Sequence, residues 1–75
     1  MPRSSSEPRL GTRLRVARAE RDLSQGELAR MVGVSRQTIS SIETGHYGPS
    51  TLLALRLARS LAFPVDGLFF LEDPA

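Results

Sequence analysis

Arg36, Gln37, Ser40, Ser41 and Thr44 are spaced so that a helix would gather them on one face with no apolar residue among them. Solvated helix faces are usually built from Glu and Lys, which favour the helix. Gln, Ser and Thr are poorer helix formers as a group, but they hydrogen-bond well to base edges. The chemistry this face offers is therefore the non-covalent reading of nucleic acid, weighed against a plain helical hairpin with a polar surface. Covalent chemistry has little to work with. His46 is the only histidine and lies in a Gly- and Pro-containing loop, so a Ser/His/Asp set has no credible geometry and a His-cluster metal site is excluded. There is no cysteine for a thiolate metal site or a disulfide, no glycine-rich phosphate loop and no paired-carboxylate face. Neither an enzyme nor a cofactor is expected.

The polar face has to be positioned by what precedes it. Ser24-Gln25-Gly26-Glu27 is a Ser-x-x-Glu capping box that opens a helix, and Leu28, Ala29 and Val32 give that helix one apolar stripe. Gly33 follows the last periodic residue, where a left-handed backbone ends a helix cheaply. Val34 plugs the turn and Ser35 is a good N-cap for the next helix, residues 36–44. Ile39 and Ile42, three apart, are that helix's buried side, and Gly45 closes it. Residues 23–45 thus read as two helices and a tight turn.

The flanks are read in the same way. Residues 1–9, with two prolines and three serines, form a flexible tail. Its Arg3 and Arg9 can follow a DNA backbone or enter a minor groove, or belong to a mobile segment and no more. A first helix is expected over residues 12–21, with Thr12 as N-cap, Leu10, Leu14 and Ala17 on one stripe, and Asp22 in the left-handed break. Ser50 caps a helix over residues 51–61 whose leucines lie on more than one face, which places it centrally in the core. Phe63-Pro64 ends it. Residues 65–72 fit a short helix or a short strand equally well. Leu68, Phe69, Phe70 and Leu71 are four consecutive large apolar residues, more than one small core accommodates, so this segment is expected to meet another chain.

Seventy-five residues make one domain, residues 10–75, with a thin core that favours a partner subunit. No apolar run approaches the roughly 18 residues of a membrane span and nothing resembles a signal peptide, so the expected location is cytoplasmic. The formal net charge is +2, and all ten basic residues are Arg. Residues 1–43 hold eight Arg against five acids, whereas residues 44–75 hold two against three. A positive front and an acidic end fit a polyanionic partner.

From Leu14 to about Glu72 the chain resembles the Cro/repressor-type (XRE) helix-turn-helix family, above all its short single-domain members. The matching features are Arg18, Leu23-Ser24-Gln25, Glu27-Leu28-Ala29, Val32-Gly33-Val34-Ser35 and Thr38-Ile39-Ser40. They continue through Ile42-Glu43-Thr44-Gly45, Pro49-Ser50, Leu57-Ala58 and Leu68-Phe69. The resemblance implies an all-α fold, a compact lambda repressor-like bundle of five helices whose third helix enters the major groove of double-stranded DNA. It makes Arg36, Gln37 and Ser41 base readers with Thr38 and Ser40 beside them, and puts Gln25, Ser35, His46 and Tyr47 at the DNA backbone. Arg18 and Glu43 become a structural ion pair. Asp22, Gly26 and Gly67 depart from the family pattern, away from the reading face.

The function expected is a sequence-specific transcriptional regulator, a repressor acting as a homodimer through Leu68, Phe69, Phe70 and Leu71 on a palindromic operator. The alternative is an antitoxin-like or anti-regulator module whose main partner is another protein, motivated by the same apolar cluster.

Overall fold

Three serines set the helical frame. The Ser24 hydroxyl accepts from the Glu27 N–H at 3.0 Å while the Glu27 carboxylate accepts from the Ser24 N–H at 2.8 Å. Ser35 and Ser50 accept from the N–H groups of Thr38 and Leu53, each at 3.1 Å. Each bond satisfies a donor that the first helical turn cannot pair internally. In a computed structural model that describes residues 8–73, the chain runs β1 (Arg9–Thr12), α1 (Leu14–Glu20), α2 (Gln25–Val32), α3 (Arg36–Glu43), α4 (Thr51–Leu61), α5 (Val65–Leu68) and β2 (Phe69–Glu72). Gly33 ends α2 in the left-handed region at φ 77°, and Asp22 occupies the same region after α1 at φ 55°.

One core joins all five helices. Leu14, Leu28, Ile39, Ile42, Leu57, Leu61 and Leu68 are its largest fully buried side chains, and Leu23, Val34, Phe63, Val65 and Phe69 pack against it. Removing one such leucine to alanine typically costs about 2–5 kcal/mol, a large part of the stability of so small a domain.

The five-helix bundle carries an addition that an all-α reading omits. β1 and β2 pair antiparallel, with Leu10 opposite Leu71, Gly11 opposite Phe70 and Thr12 opposite Phe69. Leu10 therefore belongs to a strand and not to the stripe of helix one, which starts at Leu14, and Arg9 is strand rather than tail. The helix is capped by Arg13 without a side-chain cap bond, which corrects the assignment of Thr12 as N-cap; the Thr12 hydroxyl, at the end of β1, accepts from the Leu14 N–H at 3.0 Å. Arg3 lies outside the described residues. Gly11 is required by packing, because a Cβ there would overlap the Phe70 ring. On the ring's other contacts, the Arg13 guanidinium sits 4.7 Å from its centroid.

Residues 65–72 are both helix and strand, four residues of each. Gly67 does more than weaken that helix. A Cβ on it would come 3.2 Å from Phe63 and 3.3 Å from Pro64, so glycine permits a close approach. Leu68 is fully buried in the chain's own core, which corrects its assignment to an interface with another chain. The expected central position of α4 is also corrected. Leu53, Leu57, Ala58 and Leu61 face the core, but Leu52 and Leu55 project into solvent.

Candidate nucleic-acid interface

Burial of Ile39 and Ile42 fixes the rotation of α3, because a helix that packs one side must show the other. At 100° per residue, Arg36, Ser40, Thr44, Gln37 and Ser41 then fall within an arc of roughly 140°. Arg36 and Gln37 are exposed, and Ser40 and Ser41 are partly so. Thr38 lies off this arc, on the Ile42 side, and its hydroxyl is 2.9 Å from that of Ser35 at the helix start. Thr44 is on the arc but occupied. Its hydroxyl lies 3.1 Å from the Ser40 carbonyl and 2.8 Å from His46 Nδ1, which leaves it closing the helix.

The loop after α3 is folded back on the same face. The N–H groups of His46 and Tyr47 both donate to the Ser41 carbonyl, at 2.9 and 3.2 Å. Gln37, Thr38, Ser41, His46 and Tyr47 consequently line one shallow hollow. Residues brought together here come from α3 and from the loop that the Gly45 backbone, at φ 82°, turns toward it.

A largely buried clamp ties α1 to the end of α3. Arg18 Nε donates to Glu43 Oε2 at 2.6 Å and Nη2 to Oε1 at 3.2 Å, a two-pronged contact, while Nη1 donates to the Leu23 carbonyl at 2.7 Å. Only 15% of the Arg18 side chain and 4% of the Glu43 side chain are exposed. The hydrogen bond to Glu43 raises the Arg18 pKa above its ordinary value, its coulombic attraction adds to that, and burial opposes it.

Gln25 joins the clamp, which spacing alone did not reveal. Its Nε2 donates to Glu43 Oε1 at 3.0 Å. The side-chain carbonyl and the N–H groups at the start of α2 are what it leaves for another partner. Gly26, beside it, is approached by Arg36, whose Cδ would lie 4.0 Å from a Cβ at that position. The Arg36 stem thus crosses the opening of α2.

Of the four residues expected at a partner chain, Leu68 is core, Phe69 packs on the core, Phe70 lies across Gly11, and Leu71 is exposed. Among the described residues, no group of three or more His, Cys, Asp or Glu is placed to hold a metal ion.

The helix-turn-helix family model matches residues 14–68, the span from α1 through α5 that contains the reading face and the clamp. The chain belongs to the Cro/repressor-type helix-turn-helix family of DNA-binding transcriptional regulators. An uncharacterised helix-turn-helix transcriptional regulator of Methanocaldococcus jannaschii is 43% identical to this regulator over 61 residues, covering 81% of this chain and 92% of the relative. One from Methanothermobacter thermautotrophicus is 46% identical over 63 residues, 83% and 91% of the two chains. Among solved structures, the restriction-modification controller protein from Aeromonas hydrophila superposes with a TM-score of 0.71 at 35% identity, over 76% of this chain and 83% of that one. The P22 c2 repressor, solved in complex with a synthetic operator, superposes with a TM-score of 0.70 at 33% identity, over 72% and 82%. Among the described residues, this regulator has no helix long and apolar enough to cross a membrane.

Proposed function

We propose that this regulator is a sequence-specific repressor that binds a palindromic operator as a homodimer, with α3 of each copy in the major groove. The observation that carries the reading is the exposed Arg36, Gln37, Ser40 and Ser41 face, held in one rotation by Ile39 and Ile42. Gln37 is the principal reader, its amide suited to a two-bonded contact with adenine, and Ser41 lies one turn further along the same face. Arg36, lying across the opening of α2, joins the Gln25 end of that helix at a phosphate, where helix N-termini favour anions. Ser35, His46 and Tyr47 flank α3 and contact the backbone on either side of it. Thr38 supports the start of α3 through Ser35.

Two copies related by a twofold axis would read half-sites roughly 34 Å apart, one turn of the duplex. Phosphate contacts release counterions, so affinity falls steeply with salt for every sequence while base preference persists. Selection of binding sites from random duplex DNA at near-physiological salt tests this directly. A recovered palindrome with that spacing is the expected result. Salt-sensitive binding without any recovered sequence would overturn the reading.

A further inference from the structure

We infer that the β1–β2 ribbon and the loop after α3 together seat a phosphate of the DNA duplex, held by Arg9, Tyr47 and Gly48, an inference that rests on the DNA reading proposed above. Arg9 opens β1, Glu72 closes β2, and the two stand opposite each other at the free end of the ribbon. With Tyr47 and Gly48 of the loop they line one hollow. Ribbon and loop are in close contact there, since a Cβ on Gly48 would lie 3.5 Å from the Leu10 side chain. Both strands fall outside residues 14–68, the span that the family model matches, so the hollow is made by an addition to the shared bundle.

Three donors at this hollow are unused. Among the described residues, the Arg9 guanidinium, the Tyr47 hydroxyl and the Gly48 N–H have no hydrogen-bond partner, and all three residues are exposed. A charged fork, a hydroxyl and a backbone N–H make a donor set that holds a phosphate without reading a base. The attachment of the loop to α3 indicates which phosphate. The N–H groups of His46 and Tyr47 tie the loop to the Ser41 carbonyl, so a duplex read by α3 runs its backbone past this hollow at the end of the helix. Glu72 is the one acid on the hollow and opposes an anion there. It forms no ion pair with Arg9, and an exposed carboxylate holds an arginine only weakly, so Arg9 is free to turn to the phosphate.

Fluorescence anisotropy over a salt series tests this with two duplexes, one recovered by site selection and one unrelated. Arg9→Gln should weaken binding to both by roughly tenfold for each bound copy, as loss of a hydrogen bond between charged groups does. The slope of log affinity against log salt should fall by about 0.9 for each copy, with the ratio between the duplexes unchanged. Arg9→Lys should keep the slope, and Tyr47→Phe should weaken binding at an unchanged slope because no charge is lost. Glu72→Gln should tighten binding. Arg59→Gln makes the same charge change on α4, away from the hollow, and should move the slope far less. An Arg9→Gln slope equal to wild type, or matched by that of Arg59→Gln, would overturn the seat while reading by α3 stands. If Arg9→Gln fails to fold by circular dichroism, Glu72→Gln decides, and an affinity no tighter than wild type overturns the seat. Wild type that binds both duplexes equally would overturn reading by α3, and the Arg9→Gln slope then still decides for or against the seat.

Discussion

Replacing Glu43 by alanine removes the acceptor of three side-chain hydrogen bonds at once, two from Arg18 and one from Gln25. The Arg18 charge would be left with 15% of its side chain exposed, held at the Leu23 carbonyl and unable to reach water freely. Breaking one side of such a pair costs about 3–5 kcal/mol, and the residual exposure puts this case near 3. At 0.05–0.15 kcal/mol per residue, a chain of this size has only about 4–11 kcal/mol in total. Each kcal/mol moves the melting midpoint of a small domain by about 4–8 °C, so Glu43→Ala should lower it by roughly 12–24 °C. Arg18→Met alone should be comparable, because the carboxylate is then buried and unpaired. The double variant Arg18→Met/Glu43→Ala should recover at least half of the loss, since replacing both partners by apolar groups avoids the stranded charge. Thermal and urea unfolding of the four proteins at one fixed concentration gives the coupling energy, with concentration held because association contributes to apparent stability. A coupling below about 0.5 kcal/mol would show that the clamp behaves as an exposed pair, and the reasoning from its burial would be wrong.

Two further outcomes follow from the helix ends. Ala62 closes α4 at φ 51°, a conformation that a side chain resists, so Ala62→Gly should gain about 1 kcal/mol and raise the unfolding midpoint; no gain, or a loss, would mean that the strain is already relieved locally. The Glu27 carboxylate is held below its ordinary pKa first by the hydrogen bond from the Ser24 backbone, then by that from the Ser24 side chain. A depressed carboxylate stabilises fully above its unfolded value and loses that contribution as pH falls through the folded one. Wild type should therefore lose more stability below about pH 4 than Glu27→Gln does, and parallel pH profiles would refute the capping-box contribution.

The local devices were legible because their physics is local. A Ser-x-x-Glu box, a glycine at a left-handed turn and a serine before a helix are complete within a few residues, and the structure keeps Ser24, Gly33 and Ser35 in those roles. Ile39 and Ile42, three apart, fixed the rotation of α3 and hence the polar face. What the sequence hid depends on residues far apart along the chain. β1 pairs with a strand some sixty residues away, and Leu10, four before Leu14, is a natural member of a helical stripe until that pairing is known. The apolar run at Leu68-Phe69-Phe70-Leu71 looked uniform, but a change from helix to strand after Leu68 sends its members to the core, to Gly11 and to solvent. Leu52 and Leu55 looked like core for the converse reason, because an apolar residue does not say which neighbour covers it. Gln25 is the subtlest case. Its polar side chain suits a phosphate, and only the crossing of α2 and α3 shows that its amide is committed to Glu43.

Base reading by α3, with Gln37 as its principal reader, is what the proposed function rests on. The most direct test compares the sequence preferences of wild type and Gln37→Ala by the same selection from random duplex DNA. Loss of preference at one base pair in each half-site, by the roughly 1–3 kcal/mol that a two-bonded amide contact discriminates, is the predicted result. An unchanged preference at every position would contradict it and remove α3 from the reading role.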